Sequence, residues 1–110
     1  MREHQPLFFT FEGPEGAGKT TQISSISQKL SQVGIAHIVV REPGGTQIGQ
    51  RIRELLLDAR WQEMTARTEI LLFAASRSQL VAEKIEPALQ AGKIVLCDRY
   101  VDSSIAYQSY

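Results

Sequence analysis

The run Gly13-Pro14-Glu15-Gly16-Ala17-Gly18-Lys19-Thr20 fits the spacing G-x-x-x-x-G-K-[ST], the pattern of a backbone loop that wraps a chain of phosphates. Such a loop turns its N–H groups inward and brings them close to the anion, which side chains at Gly13, Gly16 and Gly18 would obstruct. Lys19 is placed to reach the outer phosphates as a mobile point charge. The Thr20 hydroxyl can take one position on an octahedral Mg²⁺. A second candidate lies far downstream. Asp98 closes the apolar run Ile94 to Cys97 and has the placement of an aspartate that holds Mg²⁺ through water, opposite Thr20. The bland alternative for Asp98 is a cap on the following turn. Arg99 beside it could be a surface charge, but a guanidinium next to a metal-bound phosphate suits a bidentate grip on a phosphoryl group.

These residues need particular elements to hold them. Leu7 to Glu12 is a short β-prone run, apolar almost without alternation, as expected where both faces of a parallel strand are covered. After the loop, Ile23, Ile26, Leu30 and Val33 recur at helical spacing from Lys19 until Gly34. Ala36 to Val40 reads as a second strand, followed by the loop Arg41-Glu42-Pro43-Gly44-Gly45-Thr46. Gln47 to Asp58 reads as a helix with Ile48, Ile52, Leu55 and Leu56 on one side. Trp61, in the connector, reads as a packing residue.

The longest helical pattern runs from Thr65 to about Ile85, with Ile70, Leu71, Ala74, Val81 and Ile85 in a stripe that should face the sheet or a partner. Phe73 and Arg77 fall together at the edge of that stripe. Pro87 breaks the pattern and opens a last short turn to Gln90. Ile94 to Cys97 is the third β-like run. Alternating strands and helices imply an α/β fold, a parallel sheet with right-handed crossovers, and a site where the strands' carboxyl ends meet. The Gly13 loop, the Arg41-to-Thr46 loop and the segment from Asp98 onward all emerge there.

Composition narrows the function classes. The 110 residues make at most one domain, residues 1–110 without an internal boundary. Lys plus Arg and Asp plus Glu are both 12, so net charge is zero and no general attraction to a nucleic-acid polymer or an anionic membrane is expected. Cys97 stands alone and reads as a small core residue. With no signal-like or long apolar run, the expected compartment is the cytoplasm. His4 and His37 lack metal-ligand spacing.

Several of these stretches together resemble bacterial thymidylate kinase. They are Phe11 to Thr21, Arg41 to Thr46, Leu72-Phe73-Ala74-Ala75-Ser76-Arg77, Pro87-Ala88-Leu89, and Asp98-Arg99-Tyr100 with Asp102-Ser103-Ser104-Ile105-Ala106-Tyr107-Gln108. The resemblance implies the fold of P-loop nucleoside triphosphate hydrolases and transfer of the γ-phosphoryl of ATP, with Mg²⁺, to thymidine monophosphate (dTMP), in dTTP synthesis. By the same resemblance the Gly13 to Thr20 loop holds ATP, Lys19 stabilises the moving phosphoryl, and Glu42 and Asp98 arrange the Mg²⁺ and its surroundings. Arg53 and Arg99 hold the acceptor's phosphate, although a solvated arginine would be the ordinary finding at Arg53. Phe73 stacks on thymine, Arg77 bonds its carbonyl edge, and Ser104 and Gln108 approach the base from the other side. Tyr107 crowds the sugar's 2′ position, and Glu15 contacts the sugar.

The resemblance covers about the first half of the family's fold. The later half would supply a basic lid, the adenine contacts, further strands and part of a homodimer surface. A chain ending at Tyr110 would expose a sheet edge beyond the Ile94 strand and turn over weakly or not at all. The residues also leave open another phosphate-loop nucleotide or nucleoside kinase, and a nucleotide-binding fragment without turnover.

Overall fold

A computed structural model describes residues 7–13 and 18–100. The elements in chain order are β1 (Phe8–Gly13), α1 (Lys19–Gln32), β2 (His37–Glu42), α2 (Gln47–Leu57), α3 (Ala66–Leu80), a π-helical turn (Val81–Ile85), α4 (Glu86–Gln90) and β3 (Ile94–Tyr100). The three strands form a parallel sheet in the order β1-β3-β2. Each crossover therefore contains helix, as parallel pairing requires.

β3 is the central strand, and its first four residues, Ile94 to Cys97, are all buried. Side chains alternate along it. Ile94 and Leu96 pack with Ile23, Ile26 and Leu30 of α1, while Val95 and Cys97 pack with Leu80 of α3, Ile85 and Ala88. A continuous apolar run is the expected signature of such two-sided cover. β1 reads the same way in sequence but lies at an edge, and Leu7, Phe8 and Phe9 remain 45, 43 and 46 % exposed. The expected open edge beyond the Ile94 strand is misplaced: β3 is paired on both sides, and among the described residues the edges belong to β1 and β2.

Two helical faces also differ from the sequence pattern. On α3 the inward residues are Ser76 and Leu80, whereas Ile70 and Leu71 are exposed, so only the Val81 and Ile85 end of the apolar stripe meets the core. On α2 the buried residues are Gly49 and Arg53, and Ile48 and Leu55 face outward. Trp61 is exposed in part, with the Arg60 guanidinium 5.8 Å from its ring centre.

Pro87 does not end the helical path. The Glu86 N–H reaches back five residues to the Val81 carbonyl, and this wider turn absorbs a proline whose ring an unbroken α-helix would bring against the carbonyl four residues earlier. No helix among the described residues is long and apolar enough to cross a membrane.

Candidate active site

The site forms at the carboxyl end of β3, and the alternation of that strand divides it. Asp98 continues the phase of Ile94 and Leu96 toward α1; Arg99 continues the phase of Val95 and Cys97 toward α3. Neighbours in sequence thus serve opposite faces of the sheet.

On the α1 side, Gly18 precedes the helix with φ 79°, a left-handed conformation that favours glycine. Among the described residues a Cβ added at Gly13 or Gly18 would meet nothing within 4 Å, and at Gly18 the backbone angle calls for glycine. Lys19, the first residue of α1, is 8 % exposed. Its Nζ donates to the carbonyls of Gly13 at 3.0 Å and Arg99 at 3.1 Å and lies 2.6 Å from Asp98 Oδ1. Three acceptors therefore aim the ammonium at the strand tips.

On the α3 side the organising group is Glu42, the last residue of β2, only 4 % exposed. Arg77 Nε donates to its Oε1 at 2.7 Å; Oε2 accepts from Cys97 Sγ at 3.3 Å and Arg99 Nη2 at 3.4 Å. Burial by itself raises the Glu42 pKa, but the hydrogen bonds from Arg77 and Cys97 and the charges of Arg77 and Arg99 outweigh it and hold the carboxyl below its ordinary value. Cys97 responds in the opposite sense: burial, the Glu42 charge and the bond to Glu42 push its thiol up to about 12. Arg99 Nη1 also donates to Glu12 Oε2 at 2.8 Å, and its buried Nε has no hydrogen-bond partner among the described residues.

The turn after Glu42 is fastened at several points. Gly44 N–H donates to Ser76 Oγ at 3.0 Å, Arg53 Nη1 donates to the Pro43 carbonyl at 3.3 Å, and Thr46 caps α2 by accepting from Gly49 N–H at 2.8 Å. Gly45, with φ 82°, has no room for a side chain, since a Cβ would lie 2.9 Å from both the Arg41 carbonyl and Leu80 Cδ1. Arg53 is 8 % exposed, unlike the solvated arginine usual on such a helix.

A cleft of about 350 Å³ opens between the two sides, lined by Lys19, Thr20, Asp98 and Tyr100 and by Arg41, Glu42 and Arg53 of β2 and α2. Among the described lining residues three cations face two carboxylates, a balance suited to anionic ligands. The structure thus brings Lys19, Thr20, Glu42, Arg53 and Asp98 to one cleft, with Arg99 and Arg77 attached through Glu42. Phe73 lies one turn before Arg77 on α3, partly buried, and is not part of the cleft lining. Pro14, Glu15, Gly16, Ala17, Ser104, Tyr107 and Gln108 lie outside the described residues. Sequence reasoning passed over Glu12, Arg41, Ser76 and Tyr100 and saw Cys97 only as core.

Comparison with known proteins gives the same direction. The profile of the family described as thymidylate kinase matches residues 11–110. The chain belongs to the thymidylate kinase family. It is 59 % identical over 103 residues to a thymidylate kinase of Exiguobacterium sibiricum and 56 % identical over 104 residues to one of Bacillus pumilus. Each match covers 94 % of this chain and 49 % of the relative, so the chain spans about half the length of these thymidylate kinases. The crystal structure of thymidylate kinase from Ehrlichia chaffeensis superposes with a TM-score of 0.80 at 40 % identity, over 97 % of this chain and 60 % of that one. The fold is that of this kinase family, a P-loop fold of which the chain forms a three-stranded part.

Proposed function

We propose that the polypeptide carrying this sequence is a thymidylate kinase that transfers the γ-phosphoryl of ATP to dTMP, forming dTDP and ADP on the route to dTTP. The observation that carries this reading is the split at the β3 tip. Lys19, Thr20 and Asp98 gather on the α1 side, Glu42, Arg77 and Arg99 on the α3 side, with the cleft between them. Phosphoryl transfer through a loose transition state needs little covalent help; it needs two nucleotides in line and charge neutralised where they meet.

On the donor side, the Gly13 to Thr20 loop holds the ATP phosphates. Lys19 exchanges its Asp98 partner for a phosphate oxygen and stays with the moving group. An Mg²⁺ ion would be held chiefly by phosphate oxygens and water, with help from Thr20 and Asp98. When bound, Mg²⁺ supplies neutralisation of charge on the transferring phosphate. On the acceptor side, Arg53 and Arg99 hold the dTMP phosphate so that one of its oxygens attacks the γ-phosphorus as ADP leaves. Phe73 stacks on thymine and Arg77 bonds its carbonyl edge, assisted by Ser104 and Gln108. Tyr107 selects against the ribose 2′-hydroxyl, and Glu15 contacts the sugar.

The setting follows from the same reading: a cytoplasmic enzyme acting on free nucleotides. It would assemble as a homodimer through helices, and Ile48, Leu55, Ile70 and Leu71 on α2 and α3 offer exposed apolar surface for that contact. An acceptor panel of dTMP, dUMP, UMP and thymidine in an ADP-release assay on the full-length protein tests the proposal. Preference for dTMP is expected. Preference for a uridylate or a nucleoside would overturn the assignment, and absence of turnover would leave a nucleotide-binding protein.

A further inference from the structure

Beneath the Glu42–Gly44 turn lie two fully buried polar side chains to which the phosphoryl-transfer reading gives no task, Ser76 of α3 and Cys97 of β3. Cys97 Sγ donates to Glu42 Oε2 and Gly44 N–H donates to Ser76 Oγ, so the turn is held from below at its first and third residues. We propose that Ser76 and Cys97 are positioning residues of the acceptor side, a two-point seat that fixes the Glu42–Gly44 turn and keeps Arg99 available to the acceptor's phosphate. The proposal rests on the kinase reading above.

Glu42 Oε2 is shared between Cys97 Sγ at 3.3 Å and Arg99 Nη2 at 3.4 Å, the latter long for an N–H···O bond. A buried carboxylate oxygen that loses one donor draws the other closer. Without the thiol, Arg99 would close on Glu42 and withdraw from an incoming phosphate. Ser76 acts on the same turn from the helix. It stands next to Arg77 and one turn after Phe73, while the Pro43 carbonyl takes Arg53 Nη1. Its bond to Gly44 therefore sets the span between the residues assigned to the base and those assigned to the phosphate. The hydrogen bonds of Lys19 go to Gly13, the Arg99 carbonyl and Asp98, none of them to Ser76, to Cys97 or to a residue of the turn.

The test is steady-state kinetics of the full-length enzyme, with acceptor varied at saturating Mg²⁺·ATP and then ATP varied at saturating acceptor. For Cys97→Ala the acceptor KM should rise about fivefold to tenfold while the ATP KM stays within about twofold. Cys97→Ser keeps a donor and should return the acceptor KM to within about twofold of the parent. Ser76→Ala should act in the same direction as Cys97→Ala, and it decides the matter if Cys97→Ala does not accumulate as folded protein. An unchanged acceptor KM in the folded alanine variants overturns the proposal. So does an equal rise in both KM values that serine fails to rescue, because that is the signature of lost packing. If the parent enzyme prefers an acceptor other than dTMP, the substrate assignment fails, and the same ratios read with the preferred acceptor still judge the seat.

Discussion

Asp98 and Arg99 are adjacent on one strand, yet they join different halves of the site. Asp98 meets a lysine at the start of α1; Arg99 joins a buried carboxylate that α3 also holds through Arg77. Among its described residues the α1 half sets one ammonium against one carboxylate and two carbonyls at a helix N-terminus, placed for an anion to enter. The α3 half is already cross-linked, with Glu12, Glu42, Arg77, Arg99 and Cys97 in one hydrogen-bonded chain. A site that accepts a flexible triphosphate can leave its groups free to exchange partners. A site that must recognise one base at a fixed distance from one phosphate gains from groups fixed in advance.

The largest expected break of this contrast is on the α1 side. Lys19→Ala in the full-length protein should lower turnover by a few powers of ten, about 3 to 5 kcal/mol of transition-state stabilisation, while the fold and dTMP binding persist. Single-turnover rates and a thymidylate titration on one preparation would check both parts. Phe73→Ala probes the other half: dTMP affinity should fall by roughly 1 to 3 kcal/mol with ATP affinity nearly constant, the scale of base stacking on an aromatic ring. An equal loss for ATP would make Phe73 a core residue instead.

Two smaller effects sharpen the comparison. The folded-state pKa of Glu42 lies below its ordinary value of 4.5, so the unfolded chain takes up a proton first as pH falls. Glu42 therefore contributes stability that is present above pH 4.5 and is lost as pH drops through the folded pKa. Thermal unfolding midpoints should decline more steeply on that acid limb for the parent than for Glu42→Gln. The smallest effect is an absence of reaction. With its thiol buried and pushed up to about 12, Cys97 should resist maleimide at neutral pH in the native protein and label only on unfolding, which intact mass would show.

Much of this was legible before any coordinates. The Lys19 helix, the Ile94 strand and the Gly-rich loops carry strong local signals, because one apolar period and a few glycines decide each of them. What escaped depends on neighbours that a single chain does not reveal. Leu7 to Phe9 reads as a doubly covered strand, and its cover depends on sheet order; among the described residues β1 sits at an edge. The apolar stripe of α3 reads as facing the sheet or a partner, which does not show that Arg53 and Ser76 face inward to serve the turn after β2. Ser76 was detectable as a small polar residue between Phe73 and Leu80 on one helix face. The partners of Cys97 and Glu12 were not, since both bonds cross between strands or join residues 55 and 87 apart. The division between Asp98 and Arg99 was implicit in the alternation of a strand, once the strand is extended through Tyr100.

Those two neighbours give the most direct test. Binding of a non-hydrolysable ATP analogue with Mg²⁺, and separately of dTMP, would be measured by calorimetry for Asp98→Asn and Arg99→Ala in the full-length protein. The account predicts a crossed pattern: Asp98→Asn weakens the ATP analogue several-fold and spares dTMP, and Arg99→Ala does the reverse. If both substitutions weaken the same nucleotide, the two faces of the strand do not serve two ligands and the account is wrong.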